Sequence, residues 1–286
     1  MKNNPLVSIL MTAYNREQYI AEAIACVLEI DYYNWELIIV DDCSSDSTFP
    51  IAMSFAEKES RIKLYKNENN LGDYANRNKA AKYASGKYLV YADSDDRMFE
   101  HSLTQWVEAM ETHQCLFGIF SHTGNTDIFK LDSKSILYEH FFRKPILNFG
   151  PVATIVTHAF FKSIKGYPEK YGPANDMYYN LKAASQTSTL VFPFALVDYR
   201  IHDGQEFNNK YSYLYNNYLY LRDAIEEIDL PLSSEQKKTL NKKNKRRFLN
   251  NILNYYLKTR NGEKTRKAIQ LAEFDFRDTI TALFQI

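Results

Sequence analysis

The run Tyr88-Leu89-Val90-Tyr91-Ala92-Asp93-Ser94-Asp95-Asp96 decides the fold. Five apolar residues in succession suit a strand buried on both faces, and they give way abruptly to a cluster of three carboxylates. The same pattern recurs upstream. Residues 7–11 (VSILM) read as a strand that ends in Thr12-Ala13-Tyr14-Asn15, and residues 37–40 (LIIV) as one that ends in Asp41-Asp42-Cys43-Ser44-Ser45-Asp46. A further strand is predicted at 62–65. Between these runs the apolar spacing predicts helices over 18–29, 51–57 and 75–84, the last introduced by Gly72 and closed by Gly86. Strands alternating with helices on the order of ten residues long are βαβ units. Right-handed crossovers bring the C-terminal end of each strand to one edge, where open α/β sheets bind ligands. The predicted fold class is α/β, a Rossmann-like, mostly parallel sheet flanked by helices.

Downstream the pattern is mixed. Short strands are predicted at 116–120, 190–192 and 196–201, with helices at 103–110, at 159–165 and from Asp176 onward. Residues 149–157 and 169–175 read as loops. After Gly204 the strand signals cease, and helices are predicted over 211–228, 235–257 and 264–273. This divides the chain into an α/β domain at 1–203 and a helical region at 204–286. Charge divides in the same place. The chain of 286 residues has 35 basic and 35 acidic side chains, but residues 204–286 carry a net +5 and residues 1–203 a net −5.

Neutral overall charge argues against a nucleic-acid binder, and no apolar run reaches the ~18 residues of a membrane span. Cys26, Cys43 and Cys115 lack zinc or disulfide spacing and read as reduced thiols of a cytoplasmic protein. Neither the G-x-G-x-x-G of a dinucleotide-binding domain nor the glycine-rich phosphate loop of a nucleotidylyltransferase follows the first strand, where Thr12-Ala13-Tyr14-Asn15-Arg16 stands instead.

The ligand edge would therefore present a hydroxyl, an aromatic ring and an amide from the first strand, and carboxylates from two others. Hard oxygen donors in that number suit Mg²⁺ or Mn²⁺, and without a cation their mutual repulsion is costly. Asn70-Leu71-Gly72-Asp73 followed by Arg77 places a tight turn, a helix start and a cation together, an arrangement suited to an anion or a nucleobase.

Taken in order, the segments at 7–15, at 37–46, Asn70-Leu71-Gly72 with Arg77-Asn78, and Asp93-Ser94-Asp95-Asp96 resemble the four signatures of family 2 glycosyltransferases of the GT-A fold. The resemblance covers residues 5–203 and leaves the helical tail outside. It implies a nucleoside-diphosphate sugar as donor, UDP-linked above all, and transfer with inversion to a hydroxyl of a carbohydrate or lipid-linked acceptor in surface polysaccharide synthesis. Thr12, Ala13, Tyr14, Asn15, Asp42, Asn70 and Arg77 would hold the base and ribose. Asp93-Ser94-Asp95 would be the D-x-D element, with Asp93 toward the ribose and Asp95 on the Mn²⁺ or Mg²⁺ bridging the diphosphate. His202, in Tyr199-Arg200-Ile201-His202-Asp203-Gly204, matches the segment whose histidine completes the metal shell. The family's base follows a glycine turn, and Gly166-Tyr167-Pro168-Glu169 then Gly172-Pro173-Ala174-Asn175-Asp176 make Asp176 the corresponding residue. Asn175 departs from the family's usual Glu.

Two further expectations concern the tail and the alternatives. Seven cations between Lys237 and Arg247 precede an amphipathic run to Leu257, so residues 237–257 could meet anionic lipid at the inner face of the membrane, or form a solvated face. The Tyr- and Leu-rich tail could also carry a homodimer surface. The competing function is a catalytically silent nucleotide-sugar-binding or assembly subunit of the same fold.

Overall fold

The structure, a computed structural model, describes residues 4–202 and 210–283. The chain begins β1 (Val7–Ala13), α1 (Ile20–Leu28), β2 (Trp35–Asp41), α2 (Thr48–Ala56), β3 (Ile62–Lys66), α3 (Asp73–Tyr83), β4 (Tyr88–Tyr91), β5 (Arg97–Met98) and α4 (Ser102–His113). It continues β6 (Phe117–Phe120), β7 (Phe129–Leu131), α5 (Ser133–Phe142), β8 (Thr154–Thr157), α6 (His158–Ser163), α7 (Asn175–Gln186), β9 (Thr189–Phe192) and β10 (Val197–Asp198). Four helices close it: α8 (Lys210–Glu227), α9 (Ser234–Thr259), α10 (Gly262–Leu271) and α11 (Phe276–Leu283). The fold is α/β, with a central sheet between helices.

The sheet runs β3-β2-β1-β4-β8-β6-β9-β7. β1 pairs in parallel with β2 and β4, β2 with β3, and β6 with β9, whereas β8 is antiparallel to both β4 and β6. An antiparallel strand inserted between β4 and β6 leaves those two pointing the same way, so the ends of β1, β2, β4, β6 and β9 share one edge. β1 sits at the centre of the parallel half, in register from Val7 opposite Trp35 to Ala13 opposite Asp41. Its residues and those of β2 and β4 are buried almost throughout, as a sheet covered on both faces requires.

Two of the expected loops and boundaries change. Residues 154–157 are β8, a four-residue central strand, rather than loop; their entry is set by the 3₁₀ turn Pro151–Ala153. A run this short carries no periodicity of its own and gains its state from β4 and β6 on either side. Of residues 196–201 only Val197–Asp198 are strand, and they pair with β5 outside the main sheet. α5 and α11, which the apolar spacing did not mark, complete the helical layers. Trp106 is fully buried and stacks on Phe192 at 4.3 Å, the core role its helix position suits.

The expected boundary at 203/204 lies outside the described residues. On its far side, α8 contributes Leu219, Tyr220, Leu221 and Ala224 to the same hydrophobic core as the sheet. A second cluster, built on Tyr218, Phe248, Ile252 and Phe274, joins α8 to α9 and to the residues around α10. Much of the basic run is consumed internally: Lys245 pairs with Asp278 at 2.7 Å, Arg246 Nε donates to the Ala282 carbonyl, and Arg247 Nη2 to that of Asn217. Leu253, Tyr256 and Leu257, one turn apart on α9, are exposed beside Lys258 and Arg260. Among the described residues no helix is long and apolar enough to cross a membrane.

Candidate active site

The shared edge collects the residues that the sequence assigns to the donor, the metal and the base. Thr12 and Ala13 end β1 and Tyr14 and Asn15 follow it, Asp42 follows β2, Asn70 precedes α3, Asp93 to Asp95 follow β4, and His202 follows β10. Asp176 stands in the first turn of α7.

Asp42 organises the nearest loop. Its Oδ1 accepts from Asn67 Nδ2 and from the Leu71 N–H, at 2.7 and 2.8 Å, and its Oδ2 accepts from the Gly72 N–H at 2.9 Å. Gly72 sits at φ +86, a conformation that disfavours other residues, and this turn delivers the chain into α3. Asn70 Oδ1 also accepts from the Gly72 N–H, at 3.0 Å. Asn15 is itself left-handed, at φ +51. Its N–H donates to Ser44 Oγ, and its Oδ1 accepts from the Ser45 N–H, which locks the ends of β1 and β2 together. Ala13 contributes through its carbonyl, which accepts from the Asp42 N–H at 2.8 Å. Tyr14 is 47% exposed, with its ring free to meet a planar ligand.

Arg77 is buried, and its guanidinium forks onto Asp93 with Nη1 and Nη2 at 2.7 and 3.0 Å, while Nε reaches Asp73 at 2.8 Å. Burial disfavours the charge, but Asp73 and Asp93 more than compensate, and its pKa is driven up. The helix therefore begins at Asp73, which serves as the partner of Arg77 rather than as a cap; the cap position is Gly72.

Ser94 turns inward, donating to the Thr12 carbonyl at 2.8 Å, so that β1 and the D-x-D turn are tied. Asp95 Oδ2 accepts from Arg16 Nε at 2.7 Å and lies 2.9 Å from His202 Nε2. Burial raises the carboxyl's pKa, but His202 and the charge of Arg16 outweigh it and hold the group below the usual range. The His202 ring stacks on Tyr19 at 4.7 Å. Asp96 is pushed up to about 8, first by burial and then by the charge of Asp93. Ligand oxygens of Asp93, Asp95 and Asp96 all lie within 4.8 Å of one another. Asp96 Oδ2 is buried without a hydrogen-bond partner among the described residues. A hard-oxygen donor set with an orphaned acceptor fits a Mg²⁺ or Mn²⁺ ion.

Asp176 is buried at 7% exposure. Burial is the main reason its carboxyl is pushed up to about 7, with the Asp73 charge adding to it against the Met177 N–H, Arg77 and the Tyr74 hydroxyl. A β-carbon on Gly150 would stand 3.7 Å from Asp176 Oδ2, so the backbone of that residue lies against the carboxylate. The loop before it is held by amides. Asn175 Oδ1 accepts from the Tyr171 N–H at 2.8 Å and its Nδ2 donates to the Gly172 carbonyl at 2.7 Å. A Glu side chain could not make that donation, which gives the departure from the family pattern a local reason. Asn78 grips the Tyr167 backbone at both N–H and carbonyl, 2.9 Å each, just after Gly166 at φ +62.

Arg16, Asn67, Tyr74 and Gly150 belong to this site although sequence reasoning gave them no role. Arg16 had a legible signal, a cation directly after the first strand on an edge full of acid. The others are joined to the site only by long-range packing.

Comparison with known proteins follows the same lines. The profile described as Glycosyl transferase family 2 matches residues 8–165, more than half of the chain. The putative teichuronic acid biosynthesis glycosyltransferase TuaG of Bacillus subtilis is 36% identical over 119 residues, 42% of this chain and 47% of that protein. The Escherichia coli UDP-Glc:alpha-D-GlcNAc-diphosphoundecaprenol beta-1,3-glucosyltransferase WfgD is 44% identical over 105 residues, 37% of this chain and 41% of its own. The matched stretch thus spans less than half the length of these relatives. Among solved structures, S. aureus TarS with UDP-GlcNAc superposes at a TM-score of 0.74 and 20% identity, over 96% of this chain and 81% of that one. The mannosyltransferase PcManGT of Pyrobaculum calidifontis, with GDP-Man and Mn²⁺, gives 0.67 and 14%, over 99% and 88%. Both share the fold.

Proposed function

The chain belongs to glycosyl transferase family 2, and from that premise we propose that it moves one sugar from a UDP-linked donor to a hydroxyl of a carbohydrate or lipid-linked acceptor, with inversion, in surface polysaccharide synthesis. The observation that carries this reading is the pairing of two acidic centres on one sheet edge, a carboxylate cluster at Asp93, Asp95 and Asp96 and a separate buried carboxylate at Asp176.

The exposed ring of Tyr14 and the loop organised by Asp42 and Asn70 suit a base, and Arg77 fixes Asp93 for a ribose hydroxyl. Asp95, with Asp96 and His202 beside it, would hold Mn²⁺ or Mg²⁺. When bound, the ion supplies Lewis acidity at the diphosphate leaving group, where negative charge develops. Asp176 accepts the acceptor's proton. A carboxylate pushed up to about 7 is half ionised near neutral pH and is a stronger base than a solvated one. A single base, with no second nucleophile identified opposite it among the described residues, supports inversion. The UDP-GlcNAc bound by TarS supports a UDP-linked donor, the Mn²⁺ bound with GDP-Man by PcManGT supports the ion, and the diphosphate-linked acceptor named for WfgD supports a lipid-linked acceptor. The exposed Leu253, Tyr256 and Leu257 with Lys258 and Arg260 support peripheral contact with an anionic membrane, a placement suited to a lipid-linked acceptor.

The test is turnover of a panel of nucleoside-diphosphate sugars with and without Mn²⁺, followed by NMR of the anomeric configuration of the product. The expected result is Mn²⁺-dependent release of UDP and a product of inverted configuration. Retained configuration, or no turnover of any donor, contradicts the proposal.

A further inference from the structure

A second concavity lies away from the acidic centres. The segment leaving β6, the strand β7, helix α5 and the turn before α9 enclose a cleft of about 770 Å³, within the range of small-molecule sites. Lys134, Arg143 and Lys144 line it against one carboxylate among its described walls, Glu139, and Tyr138 supplies an aromatic ring that is 42% exposed. Arg143 Nε is 3.5 Å from Glu139 Oε2 and its guanidinium carbon is 5.8 Å from the centroid of the Tyr138 ring, with the side chain 67% exposed, and Lys144 Nζ donates to the Thr123 carbonyl at 2.8 Å. Such a surplus of exposed cations in a concave site attracts a multiply charged anion.

The chain that lines this cleft runs on to the neighbourhood of Asp176. Lys144 and Ile146 in its wall run into Leu147 and Phe149, whose carbonyls accept from Asn180 Nδ2 on α7 at 3.0 and 2.8 Å. The next residue, Gly150, is the one whose backbone lies against Asp176. The Phe149 ring in turn packs edge-on against Phe120, at the end of β6. Four residue steps, from Ile146 to Gly150, separate the cleft wall from the backbone beside the candidate base, a reach of at most about 14 Å.

We propose that this cleft receives the diphosphate of the acceptor, with Lys134, Arg143 and Lys144 as its anion contacts and Tyr138 packing on the group attached to it. The assignment rests on the transferase reading, since it makes the hydroxyl at Asp176 and the anion in the cleft two parts of one ligand. A lipid-linked diphosphate and free pyrophosphate share the chemistry that the cations recognise.

The test uses the full chain in EDTA, so that the acidic cluster has no cation through which to draw a diphosphate. Decyl diphosphate and inorganic pyrophosphate are titrated by calorimetry, and backbone hydrogen exchange is followed with each. The expected result is protection over residues 131–147 and a loss of at least tenfold in decyl diphosphate affinity in Lys134→Gln/Lys144→Gln, with Mn²⁺-dependent UDP binding unchanged. Tighter binding of decyl diphosphate than of pyrophosphate identifies the lipid-linked ligand, and equal binding identifies a site that reads the diphosphate alone. Equal affinity in wild type and variant, or protection over residues 93–96 instead, overturns the assignment. A wild type that binds decyl diphosphate at the cleft but no UDP with Mn²⁺ refutes the donor reading and leaves the anion site standing.

Discussion

Replacing Asp176 by Asn separates what the fold gains from what the chemistry requires. Asn keeps the shape and can still accept the Met177 N–H, but it cannot take a proton from an acceptor hydroxyl. General-base catalysis is worth about 10²–10⁴-fold, so turnover should fall by at least about a hundredfold while donor affinity is unchanged. Stability should move the other way. The carboxyl is pushed from an ordinary value near 3.9 up to about 7, a shift of about three units, or about 4 kcal/mol of differential interaction between its two protonation states. Because the folded-state pKa is raised, the stabilisation of the neutral acid is complete below about pH 4 and is lost as pH rises through about 7. A side chain that never ionises keeps it. Asp176→Asn should therefore be more stable than wild type by about 1–2 kcal/mol at pH 5 and by up to about 4 kcal/mol at pH 8. Urea unfolding at pH 5, 6.5 and 8, paired with initial rates, reads both effects. The wild type should also lose kcat/KM as pH falls below about 7, a limb that the variant lacks. A variant with more than a tenth of wild-type turnover, or a stability gap that is flat across pH, refutes the reasoning.

Three other substitutions have expected outcomes. Arg77→Ala leaves Asp93 and Asp73 without their shared partner and should cost about 3–5 kcal/mol in urea unfolding, because the charge it abandons at Asp93 is mostly buried. Asn175→Glu leaves the Gly172 carbonyl without its side-chain donor and should cost about 1–3 kcal/mol, with slower turnover as the loop before Asp176 loosens. Gly166→Ala should destabilise by more than about 1 kcal/mol, since that residue sits at φ +62 and its new β-carbon would stand 2.6 Å from Asn78 Oδ1; thermal unfolding measures it.

Much of this architecture was legible in the chain. β1, β2 and β4 each announce themselves as apolar runs ending in polar clusters, because strands covered on both faces need no alternation. The polar residues at their ends meet because a parallel sheet leaves no other edge for them. The strand β8 was not legible. Four residues after Pro151 have no period, and their state comes from being seated between β4 and β6. The site shows the same division. Residues on strand ends could be placed by topology alone, and so could Arg77, one turn into its helix. The partners of those residues could not be named, since Arg16 and Asp95 are 79 positions apart and Asn78 and Tyr167 are 89 apart. The basic run in α9 reads as a surface feature in one dimension, yet three of its cations are spent on Asp278, Ala282 and Asn217. The exposed apolar face lies further along the same helix.

Calorimetric titration of UDP into the full chain, with Mn²⁺ and then with EDTA, tests the central claim most directly, with Asp95→Asn as the paired variant. The account predicts saturable binding that requires the ion and is lost in the variant, with the fold intact by circular dichroism because the contacts of Asn15 and Ser94 that tie the strand ends do not involve Asp95. Binding of equal strength in EDTA, or undiminished Mn²⁺-dependent binding by Asp95→Asn, would contradict it.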